Sequence, residues 1–206
     1  VNVFATDKFH DHRIVKKYFD QTYEITEKIA EEISDTKTPQ GIFAIAKIDE
    51  SNSEIDFKGH WLLLDNVQDP GNVGTIIRTA DAAGFNGVLI GDNTADIYQG
   101  KVQRSMQGSQ FHIKIQTGDS HYLIEEFLGH SVPVWASEVN KTAKPITDLT
   151  SPADVLIIMG NEANGLNKEI LNLATEQVYI PILGQAESLN VAIAAAVLMY
   201  QVTLNS

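Results

Sequence analysis

The chain has 206 residues, of which 43% are hydrophobic and 20% charged, a composition that suits one ordinary globular domain and argues against disorder. It contains no cysteine, which excludes disulfides, thiolate metal sites and a cysteine nucleophile, and which fits a cytoplasmic protein. The formal net charge of −12 argues against a protein that coats nucleic acid through many Lys and Arg contacts, although it leaves room for a local basic cleft. No apolar run is long enough to span a bilayer, so no membrane partner is predicted. Because the first residue is not Met, we expect a piece of a longer protein.

The first part of the chain predicts a small region of helices and strands. A helix is expected over 11–19, and Thr26 is expected to cap a second helix. A turn at 38–41 precedes an apolar strand over 42–48. The polar stretch 49–59 is interpreted as a linker that marks a domain boundary.

Beyond that linker, strands and helices alternate regularly. Strands are predicted over 61–64, 87–90, 111–115, 132–136, 155–159 and 178–182. Helices are predicted over 71–83, 95–106, 122–128, 168–174 and 189–204. Strands that are apolar on both faces and alternate with helices predict an α/β fold, in which helices cover both faces of a mostly parallel sheet.

The segment that follows the strand 61–64 is the first candidate site. Gly71 and Gly74 allow another backbone to come close, and the N–H groups at the start of a helix can hold an anion such as a phosphate. Arg78 lies one turn further, where its planar guanidinium could bind the same phosphate. A plain strand–turn–helix connection with a surface arginine fits the segment equally well. The glycine spacing matches neither the P-loop nor the dinucleotide-binding fingerprint.

Two later strands also end in polar turns. Glu162 follows the strand 155–159, where it could hold a polar ligand or an arginine, or could simply stabilise the start of a helix. Ser188 and Asn190 lie at the mouth of the apolar last helix. Ser188 fits an N-cap, whereas Asn190 lies further in and needs a hydrogen-bond partner.

Together, the three segments resemble the ordered motifs of the SpoU/TrmH branch of the SPOUT RNA methyltransferases. The matching residues are Asn72-Val73-Gly74 with Arg78, Gly160-Asn161-Glu162 with Gly165-Leu166, and Ile180-Pro181 with Glu187-Ser188-Leu189-Asn190-Val191. Each motif alone is only moderately specific, but three in order, each after a buried strand, are highly specific. The resemblance covers residues 60–206. Residues 1–48 resemble the later half of the ribosomal-protein-like RNA-binding domain that many members carry in front, and we expect its opening half to lie outside this sequence.

The resemblance implies an S-adenosylmethionine-dependent enzyme that methylates a ribose 2′-hydroxyl of RNA, with ribosomal RNA favoured over tRNA. It also implies a trefoil knot in the C-terminal half and no metal, because the cofactor already carries an activated methyl group. By matching position, the implied catalytic residues are Arg78, Asn72, Glu162, Ser188 and Asn190. The residues implied to bind the cofactor are Gly160, Ile180, Leu183, Gly184 and Leu189.

The roles that follow from the resemblance can be stated residue by residue. Arg78 should bind the RNA phosphate whose oxygen takes the hydroxyl proton, since an arginine stays protonated and cannot be the base. Asn72 and Asn190 should orient the reactants, and Glu162 should hold Arg78 or the knot. The stretch that contains Lys101, Arg104 and Ser105 resembles the segment beside the family's RNA cleft, although a solvated helix end fits it equally well.

Members of the family are homodimers with the C-terminal helix in the contact, and the apolar residues 191–204 fit either that contact or an internal helix. Two readings from other classes stay open. One is a non-catalytic RNA-binding or ribosome-assembly homologue, against which the joint presence of Arg78, Glu162 and Asn190 argues. The other is an unrelated nucleotide-binding α/β protein, which the presence or absence of a knot would decide.

Overall fold

The structure is a computed structural model that describes residues 1–48, 54–138 and 143–205. The chain divides into two compact units, Val1–Asn52 and Ser53–Ser206. Within the described residues, no helix is both long and apolar enough to cross a membrane.

The smaller unit is built on a three-stranded sheet in the order β2-β1-β3, in which β1 is parallel to β2 and antiparallel to β3. Its elements are β1 (Asn2–Ala5), α1 (Arg13–Lys17), β2 (Thr22–Glu24), α2 (Glu27–Ile33) and β3 (Ile42–Ile45). Thr26 caps α2 as predicted, because its side-chain oxygen accepts from the backbone N–H of Ile29 at 3.3 Å.

The first helix is shorter than the predicted 11–19, because His12 caps it and the chain passes into a 3₁₀ turn at Phe19–Gln21. β2 was not predicted, since three residues are too few to show a period of two.

The larger unit contains a seven-stranded sheet in the order β6-β5-β4-β9-β7-β10-β8, and every pairing in it is parallel. Its strands are β4 (His60–Leu64), β5 (Gly87–Ile90), β6 (Lys114–Thr117), β7 (Val134–Ser137), β8 (Lys144–Pro145), β9 (Val155–Met159) and β10 (Glu176–Tyr179). Its helices are α3 (Pro70–Ala82), α4 (Gly100–Met106), α5 (Ser120–Gly129), α6 (Lys168–Leu173) and α7 (Val191–Leu204).

Helices cover both faces of this sheet, which confirms the predicted parallel α/β fold. Leu62 and Leu64 point into one core with residues of α3, α4 and α7, whereas Trp61 and Leu63 point into another with residues of α5 and α6. Every residue of β4 and β9 is buried. A strand buried on both faces has a continuous apolar run in its sequence. Full burial of one large apolar side chain stabilises the fold by about 1.5–3 kcal/mol.

Several element boundaries differ from the sequence prediction for local reasons. The predicted helix 95–106 begins only at Gly100, because Asp96 turns the preceding segment by accepting from the N–H of Tyr98 at 2.9 Å. The strand predicted over 111–115 lies at Lys114–Thr117, after a 3₁₀ turn that Gly108 enters with a φ of 97°. β8 has two residues and was not predicted.

The predicted linker 49–59 lies partly outside the described residues, which resume at 54. Ile55 and Phe57 pack against the core beside α5 and α6, and the Phe57 ring stacks on His130 with centroids 3.9 Å apart. These apolar side chains attach the end of the polar stretch to the larger unit. The domain limits 1–48, 49–59 and 60–206 and the trefoil knot stay predictions.

Candidate active site

The three motif segments follow strands whose carboxyl ends meet at one edge of the sheet. β4, β9 and β7 are consecutive neighbours, and β10 lies beyond β7. Open parallel sheets bind ligands at this edge. The turns after β4, β9 and β10 therefore form a natural site.

A chain of side-chain hydrogen bonds joins the three segments. The Asn190 amide Nδ2 donates to Asn72 Oδ1 at 3.1 Å, and the Asn72 amide Nδ2 donates to Glu162 Oε1 at 3.0 Å. Each amide keeps one further N–H to donate. The carboxylate at the end of the chain fixes the direction of both amides, since a carboxylate only accepts hydrogen bonds.

Asn190 also begins the last helix. Its Oδ1 accepts from the backbone N–H groups of Ala192 at 2.9 Å and Ile193 at 3.4 Å, so it is the N-cap of α7. The sequence favoured Ser188 as the cap and placed Asn190 inside the helix. In the structure the N-cap is Asn190 and not Ser188. The amide nitrogen of Asn190 is not used by the cap and donates to Asn72.

Asp69 fixes the other helix of the site. Its Oδ1 accepts from the backbone N–H of Asn72 at 2.9 Å, which caps α3, and its Oδ2 pairs with Lys101 Nζ at 3.1 Å. The backbone hydrogen bond from Asn72, followed by the bond from Lys101, lowers the pKa of Asp69 below its ordinary value of 3.8. The cap and the pair together place Asn72 and Lys101 on either side of one carboxylate.

Lys101 and Ser105 lie beside α3 because the two helices pack closely. A Cβ atom on Gly74 would lie 2.5 Å from the Ser105 Cβ and 2.6 Å from the Val102 carbonyl oxygen, so only glycine fits there. The Ser105 hydroxyl donates to the Lys101 carbonyl at 2.9 Å within α4. Arg104, the third predicted RNA-binding residue, is exposed on the same helix.

Arg78 is exposed on α3 and forms no hydrogen bond or ion pair with the described part of the chain. The expected contact between Glu162 and Arg78 is not present. Glu162 instead accepts from Asn72. The guanidinium of Arg78 is therefore available to an external anion.

A cavity of about 610 Å³ opens beside the hydrogen-bonded chain. Its size falls within the range of small-molecule sites. Among the described residues, it is lined by Ser137, Glu138, Met159, Gly160, Asn161, Glu162, Ala163, Asn164, Gly165, Tyr179, Ile180, Ile182, Glu187, Ser188, Leu189, Val191 and Ala194. This set contains three carboxylates and neither Lys, Arg nor His.

The sequence-predicted cofactor residues divide into two groups. Gly160, Ile180 and Leu189 line this cavity, together with the predicted catalytic residues Glu162 and Ser188. Leu183 and Gly184 do not line it, and the Leu183 side chain is 97% exposed.

The turn after β9 is a small closed hairpin. Asn161 and Gly165 exchange backbone hydrogen bonds at 3.1 and 2.9 Å, and the Asn161 amide donates to the carbonyl of Asn66 at 3.0 Å. Gly165 has a φ of 65°, and a Cβ on Gly160 would lie 2.7 Å from the Gly165 carbonyl carbon. Asn161 thus ties the turn after β9 to the turn after β4. Only its place directly before Glu162 hinted at this role in the sequence.

Asp65 and Asp69 lie close together in the sequence but belong to different hydrogen-bond networks. The Ser120 hydroxyl donates to Asp65, and the Ser120 backbone N–H donates to Asp92 at 3.0 Å. Burial raises the pKa of the Asp65 carboxyl. This network joins the ends of β4 and β5 to the start of α5.

Fold and site define a parallel α/β protein with a nucleotide-sized cavity at the carboxyl edge of its sheet. Residues 59–200 match the model of the SpoU rRNA Methylase family. The chain is 41% identical over 180 residues to the 23S rRNA (guanosine(2553)-2'-O)-methyltransferase RlmP of Bacillus subtilis, an alignment that covers 87% of this chain and 71% of the relative. The chain therefore belongs to the SpoU rRNA methylase family.

Solved structures agree with this assignment. An S-adenosylmethionine-bound rRNA methyltransferase from Sinorhizobium meliloti has a TM-score of 0.82 and 28% identity, over 98% of this chain and 78% of that one. An RNA 2'-O ribose methyltransferase has the same TM-score of 0.82 and 26% identity, over 99% of this chain and 80% of that one.

Proposed function

We propose that the chain transfers a methyl group from S-adenosylmethionine to a ribose 2′-hydroxyl of RNA, with ribosomal RNA as the favoured substrate. The observation that carries the proposal is the chain of hydrogen bonds from Asn190 through Asn72 to Glu162 beside the 610 Å³ cavity. It is supported by the curated relative of Bacillus subtilis, which is named as a 2'-O-methyltransferase of 23S rRNA.

The chemistry of the cavity fits the cofactor. Ile180, Ile182 and Leu189 offer apolar surface for an adenine ring, and the closed turn at Gly160 leaves room only for backbone. S-adenosylmethionine supplies a methyl group activated by its sulfonium. Glu138, Glu162 and Glu187 make the described lining anionic, which suits a ligand with a net positive charge.

Residues of α3 and α4, together with the N-cap of α7, are suited to bind and orient the RNA. Arg78 can clamp a phosphate with two parallel hydrogen bonds, while Lys101 adds a second positive charge near the helix start. The free N–H groups of Asn72 and Asn190 can direct the ribose oxygen toward the methyl group. A phosphate oxygen held by Arg78 then takes the hydroxyl proton, because arginine itself remains protonated.

A second copy of the chain is proposed to cover the outer face of α7. Ile193, Val197, Tyr200 and Leu204 recur at helical spacing there and remain 53%, 41%, 42% and 76% exposed. Exposed apolar stripes of this kind mark interaction sites. This stripe supports a homodimer through α7. We further propose that the smaller unit contributes to RNA binding. The enzyme is proposed to be cytoplasmic.

The test is transfer of labelled methyl from S-adenosylmethionine to unmodified ribosomal RNA and tRNA pools. We expect label in ribosomal RNA and none with the Arg78→Ala variant, which should still bind the cofactor. Lys168→Ala removes an exposed cation from α6 and is the matched control, with transfer equal to that of the unaltered protein. Absence of label with intact cofactor binding would instead favour a non-catalytic RNA-binding homologue.

A further inference from the structure

The carboxylate of Glu138 lies in the cavity but belongs to none of the three motif segments. Glu138 follows β7 directly, and its backbone N–H donates to the Val178 carbonyl at 2.9 Å, which fixes its position against β10. Its Oε2 accepts from the Leu166 N–H at 3.4 Å, a long hydrogen bond. Among the described residues, no group donates a hydrogen bond to its Oε1.

The order of the sheet decides which part of a ligand Glu138 faces. β9 separates β7 from β4, the strand that leads to Asn72 and Arg78. Neighbouring strands lie about 4.8 Å apart, so the carboxyl ends of β4 and β7 are roughly 10 Å apart across the sheet. The reacting methyl group must face the α3 side, where Asn72 and Arg78 lie. A cofactor whose methyl group faces α3 would therefore place its nucleoside near β7 and β10.

We infer that Glu138 binds the ribose hydroxyls of the cofactor. This inference rests on the proposed function, because it assumes that S-adenosylmethionine occupies the cavity. A ribose carries two neighbouring hydroxyl donors, and the two oxygens of one carboxylate can accept from both. Hydrogen bonds to a charged acceptor are about twice as strong as neutral ones.

The position of Glu138 could not be found from the sequence. The residue lies between Gly129 and Gly160, in a polar stretch that contains no glycine and belongs to none of the three motif segments. It enters the cavity only because β7 pairs with β9.

The test measures binding of three compounds. They are S-adenosylhomocysteine, 5′-methylthioadenosine, which keeps the adenine and ribose but lacks the amino-acid part, and the 2′,3′-dideoxy counterpart of 5′-methylthioadenosine. Isothermal titration calorimetry is performed on the full chain, on Glu138→Gln and on Glu169→Gln. The last variant removes the same charge from the exposed surface of α6, away from this cavity.

We expect Glu138→Gln to weaken binding of 5′-methylthioadenosine about tenfold, the size expected for a hydrogen bond to a charged group. It should leave the affinity for the dideoxy compound unchanged, because two changes that remove the same contact are not additive. Glu169→Gln should bind both compounds as the unaltered chain does.

Equal weakening of both compounds by Glu138→Gln would overturn the inference, since it would indicate that the carboxylate only supports the Gly165 turn. A loss confined to S-adenosylhomocysteine would overturn it as well, because the carboxylate would then bind the ammonium group. If the unaltered chain binds none of the three compounds, the proposed function fails and the inference fails with it. Binding of any of these compounds by the unaltered chain tests the proposed function, whereas the effect of Glu138→Gln tests the inference.

Discussion

The side-chain amide of Asn190 donates to the side-chain oxygen of Asn72, two residues 118 positions apart in the sequence. Each of them is also fixed at the start of a helix: Asn190 caps α7, and the backbone N–H of Asn72 is held by the cap of α3. The bond therefore ties two helix starts together at the edge of the sheet. Glu162 extends the link to the turn after β9.

Asn190 can be tested with a pair of substitutions that separate its two roles. Asn190→Ser keeps a capping oxygen but loses the amide that reaches Asn72, whereas Asn190→Ala loses both. We expect Asn190→Ala to lower the free energy of unfolding by about 1 kcal/mol and Asn190→Ser by much less. Both should lower kcat for methyl transfer by about tenfold, the size expected when one hydrogen bond is lost. Denaturant unfolding and single-turnover assays check this, and full activity of Asn190→Ser would count against an orienting role.

The pKa of Asp69, lowered first by the backbone N–H of Asn72 and then by Lys101, predicts a pH dependence of stability. Since the folded-state pKa of Asp69 is lowered, its charged form stabilises the fold above the unfolded-state value of 3.8, and this contribution is lost as the pH falls through the folded-state pKa. Asp69→Asn keeps a capping side chain but cannot form the charged pair with Lys101. Unfolding free energies measured from pH 7 down to pH 2 should therefore differ between the two proteins at neutral pH and converge in acid. A constant difference across the range would contradict the assignment.

Gly74 should tolerate no side chain. A Cβ at this position would lie 2.5 Å from the Ser105 Cβ, so Gly74→Ala forces α3 and α4 apart. Overpacking of this kind costs about 1–3 kcal/mol. Gly129 has no atom within 4 Å of its Cβ position and provides the control, since Gly129→Ala should be neutral or slightly stabilising. Thermal unfolding of both variants measures the difference, and equal melting temperatures would show that the two helices can adjust.

The stripe on α7 predicts the oligomeric state. Replacing Ile193 and Val197 together by Lys should convert a dimer to a monomer, because two charges cannot be buried in an apolar contact. Tyr122→Lys changes another exposed apolar side chain, on α5, and should leave the mass unchanged. Light scattering coupled to gel filtration gives the answer. A monomeric unaltered protein would remove the basis for the proposed homodimer.

Much of the fold could be predicted because its strands are buried on both faces. β5 and β9 lie at their predicted bounds, since an apolar run between glycine and polar residues leaves little freedom of placement. β2 and β8 could not be predicted, because strands of three and two residues carry no periodic signal. Their pairing depends on neighbours distant in sequence.

The candidate site, too, could be predicted from the sequence only in part. Asn72, Glu162 and Asn190 follow apolar strands in segments that contain glycine and polar residues, a local pattern that the sequence displays. The bonds among them depend on the order of strands, which no local pattern specifies. The role of Glu138 could be assigned only from the pairing of β7 with β9. The role of Asp69 could be assigned only from its contact with Lys101.

The measurement that tests the central claim most directly is the chemical position of the transferred methyl group. Ribosomal RNA labelled by the unaltered protein is digested with alkali, which requires a free 2′-hydroxyl for cleavage. We predict that the label appears in alkali-resistant dinucleotides. It should disappear with Arg78→Ala, because that variant lacks the guanidinium that is available to bind a phosphate in the unaltered protein. Label released as mononucleotides would place the methyl group on a base and would contradict ribose methylation.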